Sequence, residues 1–527
     1  MKVHRIIISV FAVIGISVLT TSCSDFLKEY SQDLAKVESW EDLDELLLGE
    51  GYLPSSMYNT GTSASSISNS GEYHANLDLL HFMGDELREY YTDTYCDRFG
   101  HRTSMFPYFT WQQDMRINQD GRVAYDDSRY WADLYARINT ANMVISQIDE
   151  MPVLHADDPL QIARVKGEAL FLRAAYYFVL ANLYAEPYAP ATAEQKPGIP
   201  VKASEYIEDR DYDRGTLAET YQRILNDLEE AASLLEGKTR RSIYHANYTA
   251  ARLLQSRVCL YMQNWQEAAR YAQQVIDLQP TLLNLHNLQP GDEALTGDSP
   301  ETIFSMGGYM AAYEFADYWS RQTGERSPAW FISDDMMQLF GDDDLRSTLY
   351  VGSSEYEFYP VLTKVNGQSS AFGRYTEVSD CFLLRTPEAY LTLAEASVLS
   401  GDISTAQRTL QTFLATRMNA TVTLPNSAEE MISLIRDERA REFLLEGHRW
   451  FDLRRYTVSN PYPYSKIIEH AHVYYQGGRP FYADHYQLGQ NDKAYTLPIP
   501  RTVYNFQVTL GQNERPERRP VTVEDLQ

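Results

Sequence analysis

One run of sequence specifies the architecture most clearly: LQIARVKGEALFLRAAYYFVLANLY, at residues 160–184. Its apolar residues recur at helical spacing, and they cover almost the whole circumference of the predicted helix instead of one stripe. A helix that is apolar all round is buried on every side, so we expect this one at the centre of a helical assembly. Pro187 and Pro190 follow the run, and they end the helix because proline cannot continue one.

Other helical patterns flank this central run on both sides. The preceding pattern covers residues 129–150, where apolar residues again recur at helical spacing. A Thr216 cap followed by Glu219 at the third helical position predicts a capping box at the start of the next helix. The remaining predicted helices cover residues 216–235, 247–263, 265–278, 387–399, 404–417 and 427–446.

Two of these helical pairs carry the pattern of a tetratricopeptide repeat. Residues 264–280 read NWQEAARYAQQVIDLQP, in which the small Ala268 permits close helix approach and Pro280 ends the unit. A weaker copy includes Gly401 and Ala406. The patterns predict a small tetratricopeptide-like scaffold, interrupted by residues 283–385, which show no long helical period. Ordinary helical hairpins are the alternative.

The N-terminus has the layout of a secretory signal. A positive start is followed by a short apolar run and by small residues, and then by Cys23. This order predicts a signal peptide at residues 1–22 and a lipidated tether at residues 23–39 that begins with Cys23. The alternative is a plain signal peptide followed by an incidental cysteine. No second apolar stretch reaches the ~20 residues that a membrane-spanning helix needs.

The charge of the chain restricts its partners. It carries 46 basic and 73 acidic residues, for a formal net charge of −27. Phosphate backbones are bound through lysine and arginine, so this balance argues against nucleic acid as a ligand. It argues equally against a protein that lies flat on an anionic lipid surface.

Short motifs follow one another in a defined order along the chain. They are CSDFL at 23–27, WADLYARINTAN at 131–142, GEALFLRAAYYF at 167–178, PGIPV at 197–201, LRTPEAYL at 384–391, ERAREFLLEGHRWFDLRR at 438–455 and YTLPIP at 495–500. In order and spacing, the set resembles the SusD/RagB-like outer-membrane lipoproteins of Bacteroidetes, from Cys23 to about residue 505.

The resemblance implies a mainly α fold with four tetratricopeptide-like units and a loop-rich face that holds the ligand. Within a single SusD-like domain at residues 40–527, it places the helical scaffold at roughly 129–280 and 387–455. The loop-rich ligand region then falls at roughly 50–128 and 283–385. The resemblance also implies an oligosaccharide or polysaccharide ligand and a SusC-like TonB-dependent transporter as partner. It implies neither catalysis nor a cofactor.

Aromatic residues in the two loop-rich regions are the candidate ligand contacts. Sugar rings present C–H faces that stack on aromatic rings, while polar side chains bind the hydroxyl groups, and such sites favour exposed loops. The candidates are Tyr108, Trp111 and Asp114 in the first region and Tyr309, Tyr313, Tyr318, Trp319 and Arg321 in the second. The alternative for each aromatic residue is ordinary filling of the core.

Other polar clusters are interpreted as structural. Glu438, Glu442 and Glu446 share one predicted helical face, and we expect them to pair with Arg441 and Arg449 instead of acting as acids, bases or metal ligands. The residue pair His470 and His472 lacks a third metal ligand at a suitable spacing, and Asp342–Asp344 lack the register of a calcium loop. A protein- or peptide-binding scaffold and an extracytoplasmic hydrolase remain as alternative functions.

The lipoprotein interpretation makes a direct prediction. The substitution Cys23→Ala removes the predicted acylation site, so the protein should leave the membrane fraction without unfolding, because no other hydrophobic anchor is predicted. Cell fractionation with a parallel thermal melt measures both effects. A variant that remains fully membrane-bound contradicts the interpretation, unless the transporter alone retains it.

Overall fold

The computed structural model describes residues 37–52, 77–89, 101–205, 211–307, 330–353, 359–365, 368–370, 373–380 and 382–526. The predicted signal peptide and Cys23 lie outside these residues. Within them, no helix combines the length and the apolar character needed to cross a membrane.

Helices dominate the described chain. The first group comprises α1 (Trp40–Leu46), α2 (Leu79–Met83), α3 (His101–Ser104), α4 (Phe106–Phe109), α5 (Arg129–Gln147), α6 (Asp158–Tyr184), α7 (Leu217–Leu235), α8 (Tyr248–Tyr261) and α9 (Trp265–Leu278). The second comprises α10 (Asp334–Met337), α11 (Arg346–Leu349), α12 (Thr386–Leu399), α13 (Ile403–Leu414), α14 (Ala428–Glu442), α15 (Arg449–Tyr456) and α16 (Arg501–Phe506). Shorter helical turns are Leu47–Gly51, Ile148–Glu150, Leu285–Asn287, Lys493–Tyr495 and Val508–Leu510.

Helix α6 occupies the centre of the assembly, as its sequence predicts. Every residue from 167 to 184 is buried, and α6 packs along both α5 and α7. A Cβ atom on Gly167 would lie 2.8 Å from the Cγ of Leu235, so glycine at this position allows α7 to approach closely. Helix α7 begins at the predicted Thr216–Glu219 capping box. The predicted mainly α fold is confirmed.

The helical array is continuous in space although it is interrupted in sequence. Helices α7, α8 and α9 pack in succession, and α9 then packs directly against α12, more than 100 residues further along the chain. Helix α12 in turn contacts α13 and α14. The residues between α9 and α12 therefore form an excursion that leaves the array and returns to it.

Short strands occupy the excursion and the regions on either side of it. They are β1 (Leu87–Glu89), β2 (Thr302–Phe304), β3 (Trp330–Ile332), β4 (Val351–Ser353), β5 (Pro360–Leu362), β6 (Gln368–Ser370), β7 (Gly373–Tyr375), β8 (Leu384–Arg385), β9 (Ile468–Gln476), β10 (Arg479–Leu488) and β11 (Thr522–Asp525). They form two-stranded antiparallel ladders, apart from a three-stranded sheet in the order β11-β10-β9. Two of these units, the β1–β3 ladder and the β9–β10 hairpin, frame the site described below.

A buried ionic cluster fixes the excursion against the last helices of the array. The Glu442 carboxylate accepts hydrogen bonds from Arg385 at 2.5 Å and from Arg417 at 3.0 Å, and Arg346 donates to it at 3.3 Å. All four side chains have at most 1% of their surface exposed. Three guanidinium groups from separate parts of the chain therefore converge on one anion.

The predicted local pairing is correct for one glutamate and wrong for another. Glu438 binds Arg441, three residues away, as expected. Glu446 lies beyond the end of α14, and Arg385 and Lys364 donate to its carboxylate at 2.8 and 2.5 Å. Arg449 instead forms a two-bond pair with Asp85. The chain leaves the helix after Glu442, so helical spacing no longer relates Glu446 to Arg449.

Replacement of Glu442 should destabilise the protein. Burial alone raises the pKa of Glu442, but Arg417 and Arg385 outweigh burial and hold its pKa well below the ordinary value of 4.5. Glu442→Gln leaves three buried cations without their shared anion, which should reduce the free energy of unfolding by about 3–5 kcal/mol. Urea unfolding at pH 7 measures the loss.

The same pKa gives the pH dependence of this effect. A depressed folded-state pKa contributes stability that is fully present above the unfolded-state pKa and is lost as pH falls. The difference between wild type and Glu442→Gln should therefore shrink below about pH 4.5. An equal difference at pH 7 and pH 3.5 would contradict the ionic interpretation.

Candidate functional site

The first predicted group of ligand contacts is buried. Trp111 is fully buried, its indole N–H donates to the carbonyl oxygen of Met83 at 3.0 Å, and its ring stacks on His470 with centroids 4.4 Å apart. Tyr108 is buried edge-to-face against Tyr130, and burial raises the pKa of its hydroxyl. The predicted exposure of both rings is therefore wrong. The segment expected to be a loop forms the short helix α4, which includes Tyr108, and Trp111 follows two residues after its end; both side chains pack in the core.

Asp114 is half-buried near this segment and is already paired. Its carboxylate accepts hydrogen bonds from the Arg116 guanidinium at 2.6 and 2.9 Å. These bonds lower the pKa of Asp114. The structure thus separates Asp114 from the buried rings of Tyr108 and Trp111, with which the sequence analysis grouped it.

The second predicted group lies outside the described residues. It consists of Tyr309, Tyr313, Tyr318, Trp319 and Arg321, all within residues 308–329. The residue that follows this segment is described, however, because Trp330 begins β3. The place where the segment joins the fold is therefore defined.

The β1–β3 ladder joins two distant parts of the chain at one end. The strands are antiparallel, with Leu87 opposite Ile332 and Glu89 opposite Trp330. Paired residues in such a ladder lie about 4.5–5.5 Å apart. The chain leaves β1 into residues 90–100 at the same end at which residues 308–329 enter β3. Segments separated by more than 200 residues in sequence are thereby joined to one edge of a ladder.

A cation and two aromatic rings line this ladder; we call Arg88, Phe331 and Tyr359 the ladder surface. The Arg88 guanidinium lies 4.0 Å from the centroid of the Phe331 ring and forms an ion pair with Asp334 at 2.8 Å. The Phe331 ring stacks on that of Tyr359, with centroids 5.0 Å apart. The side chain of Arg88 is 43% exposed. Phe331 itself is buried, so the exposed parts of the ladder surface are the edge of the Tyr359 ring and the Arg88 guanidinium.

Glu89 connects the ladder to the β9–β10 hairpin. Its carboxylate accepts a hydrogen bond from Arg102 at 2.6 Å and contacts the His472 ring nitrogen at 2.9 Å. Burial raises the pKa of Glu89, but the neighbouring His472 and Arg102 outweigh it, so the net pKa is lowered. Arg102 also donates to the hydroxyl of Tyr475 at 3.3 Å. A buried carboxylate therefore holds the hairpin against the end of β1.

The histidines of β9 have structural partners. His470 contacts the carbonyl oxygens of Phe109 and Gly84 at 2.6 and 2.9 Å, and His472 contacts Glu89. Burial lowers the pKa of His470 to about 4. Among the described residues, no cluster of three His, Cys, Asp or Glu side chains is arranged to hold a metal ion. Both histidines thus support the hairpin.

The strand that carries Arg88 and Glu89 is itself supported by buried acids. Asp85 pairs with Arg449 and receives a hydrogen bond from Lys466 at 2.7 Å. Glu86 accepts a hydrogen bond from the backbone N–H of Leu445 at 2.7 Å. Its second carboxylate oxygen is buried and has no hydrogen-bond partner among the described residues. Burial raises the pKa of Glu86 to about 7.

The sequence analysis did not identify the ladder surface or the hairpin. Residues 85–89 read DELRE, a charged run without a strand pattern, and residues 456–527 alternate aromatic and turn residues, which predicts short strands in an irregular region but not their pairing. A weak signal was present, because aromatic residues alternate with other residues along β9 and β10. Pairing between β1 and β3 depends on residues far apart in sequence, and no local pattern indicates it.

Two family models match the chain in succession. The SusD-like_3 model, described as "Starch-binding associating with outer membrane", matches residues 72–260. The SusD_RagB model, described as "SusD family", matches residues 301–516. The two matches together span most of the chain. They include both strands of the β1–β3 ladder and the whole β9–β10 hairpin.

Individual proteins of known name or structure show the same similarity to SusD-like proteins. SusD-like protein P2 of Formosa agariphila is 26% identical over 384 residues, which cover 63% of this chain and 72% of that protein. A SusD-like carbohydrate binding protein of Bacteroides vulgatus superposes with a TM-score of 0.67 at 19% identity, covering 90% of this chain and 98% of that one. A SusD superfamily protein of Bacteroides thetaiotaomicron gives a TM-score of 0.66 at 20% identity, covering 90% and 100%. At these identities, the two structures show a shared fold.

The buried acid below the ladder gives a testable prediction. The pKa of Glu86 is about 7 in the folded state, above its ordinary value of 4.5. Ionisation therefore favours the unfolded state, and the free energy of unfolding falls as pH rises from about 4.5 to about 7. Glu86→Gln cannot ionise, so it should be more stable than wild type by about 1–3 kcal/mol at pH 8 and nearly equal to it at pH 4.5. Urea unfolding at the two pH values measures this.

A matched control is Glu45→Gln, which neutralises an exposed carboxylate on α1. It should change the free energy of unfolding by no more than about 0.5 kcal/mol at either pH. If Glu86→Gln is less stable than wild type at pH 8, the prediction is wrong, and the Glu86 carboxylate is charged and fully hydrogen-bonded in the native state.

Proposed function

The chain belongs to the SusD/RagB family, and from this premise we propose that it is a carbohydrate-binding lipoprotein at the surface of the outer membrane. It would bind an oligosaccharide or polysaccharide at its loop-rich face and would deliver it to a SusC-like TonB-dependent transporter. The lipid anchor would be Cys23, at the end of a tether that leads to α1. Two of the matches support the ligand class by name. One family model is described as starch-binding, and one solved structure is named as carbohydrate binding.

The observation that supports the proposal is the pairing of β1 with β3, because it attaches residues 90–100 and residues 308–329 to the same end of one ladder. The segment with Trp319 and Arg321 joins the fold at β3, directly beside the end of β1. The partly exposed Tyr359 ring, stacked on the buried Phe331 ring, lies at the same ladder. Aromatic rings that stack on sugar faces, together with arginine donors for hydroxyl groups, suit a carbohydrate ligand.

The same site supports binding without catalysis. The three glutamates that sequence spacing placed on one face are buried in ion pairs, where they cannot reach a substrate. At the ladder, Glu89 is likewise buried and is bound by Arg102 and His472. A glycosidase needs two carboxyl groups across an open cleft, about 5–9.5 Å apart. We therefore propose a binding protein and not a hydrolase.

The main test concerns Trp319. Trp319→Ala should weaken carbohydrate binding by about 1–3 kcal/mol, because a stacking ring is lost, and it should leave the melting temperature nearly unchanged. Titration calorimetry with the polysaccharide that the wild type binds, combined with a thermal melt, separates the two effects. Unchanged affinity would remove Trp319 from the site, and cleavage of the polysaccharide by purified protein would overturn the non-enzymatic proposal.

Trp111→Ala is the matched contrast, because Trp111 is the same residue type in a buried position. It should destabilise the fold by about 3–5 kcal/mol, as removal of large core side chains does. If Trp111→Ala lowers affinity at a temperature where it is fully folded, the ligand site extends to the buried segment.

A further inference from the structure

The β9–β10 hairpin carries an aromatic platform, which we define as Tyr474, Tyr482 and Phe481. The rings of Tyr474 and Tyr482 stack across the strands, with centroids 4.5 Å apart and planes inclined by 15°. Phe481 lies edge-on to Tyr482, at a centroid distance of 5.6 Å. All three side chains are only partly buried. Flat apolar faces are therefore presented at the end of a hairpin.

The platform is held in place from below. Tyr474 and Tyr482 are directly opposite each other in the ladder, and Asp484 and His472 form the next pair on the same face. His472 packs edge-on against Tyr474 and against Phe106, at centroid distances of 5.0 and 4.9 Å. A site on paired strands with packed support keeps its geometry better than one on a free loop.

The polar groups around the platform are hydrogen-bond acceptors, namely a backbone carbonyl oxygen and a carboxylate. The Tyr474 hydroxyl donates to the carbonyl oxygen of Gln119 at 3.2 Å, and the Tyr486 hydroxyl donates to the Asp484 carboxylate at 3.5 Å. Asp484 lies two residues after Tyr482 on the same face of β10, and its negative charge adds to burial in raising the pKa of Tyr482. Carboxylate oxygens accept hydrogen bonds from hydroxyl groups and repel other anions.

The hairpin that carries the platform is fixed to the β1–β3 ladder through two buried side chains, Arg102 and Glu89. Tyr475 follows Tyr474 in β9, and its hydroxyl receives a hydrogen bond from Arg102, which also binds Glu89 at the end of β1. One chain of direct contacts therefore connects the hairpin to the end of the ladder.

We propose that the aromatic platform is a second carbohydrate contact and that it accepts an uncharged sugar ring. This inference rests on the proposed function. Tyr482 stacks on the ring face, while Asp484 accepts hydrogen bonds from sugar hydroxyl groups. The Asp484 carboxylate, in a chain of net charge −27, disfavours uronate or sulfated residues at the same place.

The test is affinity electrophoresis of the full mature protein in native gels that contain one polysaccharide each. The neutral probes are starch, galactomannan and xylan, and the anionic probes are alginate and polygalacturonate. Wild type should be retarded by at least one neutral polymer and more weakly by the anionic ones. Tyr482→Ala should weaken binding to that neutral polymer about tenfold, whereas Tyr482→Phe, which keeps the ring, should remain close to wild type.

Three controls keep the outcome specific. Tyr482→Leu retains apolar volume without a flat ring, so it should lose affinity even if Tyr482→Ala lowers the melting temperature. Phe506→Ala removes a ring on α16 that is 91% exposed, and it should have no effect on binding. Asp484→Asn should reduce the discrimination against anionic polymers, because it removes a repelling charge.

The outcomes separate this inference from the proposed function. If wild type binds neutral polymer and Trp319→Ala abolishes binding while Tyr482→Ala and Tyr482→Leu do not alter it, the platform is overturned and the carbohydrate-binding function stands. Preferential binding of an anionic polymer through Tyr482 overturns the specificity for uncharged sugar. If no polymer in the panel retards the wild type, both proposals are contradicted.

Discussion

The Glu442 carboxylate, with the guanidinium groups of Arg346, Arg385 and Arg417 around it, is the interaction on which the rest of the structure depends. Its ligands come from α11, from the strand before α12 and from the turn after α13, so one anion joins the excursion to the helical array. Burying these charges is costly, and their mutual attraction compensates only when all of them are in place. The cluster therefore specifies where the excursion returns to the array.

The candidate site follows the same physical pattern on a smaller scale. Glu89, buried between Arg102 and His472, fixes the β9–β10 hairpin to the end of the β1–β3 ladder. Short strands have few backbone hydrogen bonds, and a two-stranded ladder is marginal by itself. Buried ion pairs and aromatic packing supply the missing rigidity. As a result, the partly exposed rings of Tyr359, Tyr474 and Tyr482 rest on a fixed base, which is the requirement for an aromatic surface that binds sugar rings.

Local sequence patterns predicted the structure correctly where interactions between neighbouring residues determine it. The capping box at Thr216 and the all-round burial of α6 were visible in the sequence, because caps and helical faces depend on residues within a few positions of one another. The local patterns gave wrong predictions where the chain leaves a helix. Glu446 lies past the end of α14 and binds Lys364, which helical spacing cannot show. Trp111 was expected in an exposed loop, but it follows the short helix α4 and packs in the core against His470.

By itself, the sequence determined the mainly α class, the central helix, the succession of helical pairs and the family, since each of these is written in periodicity or in ordered motifs. Tertiary structure alone decided which residues can meet a ligand. Aromatic rings serve equally well in a core and on a surface, so their composition does not distinguish the two roles. The distinction depends on strand pairing and ion pairs between residues hundreds of positions apart, such as Glu89 with His472, and these contacts exist only once the chain has folded.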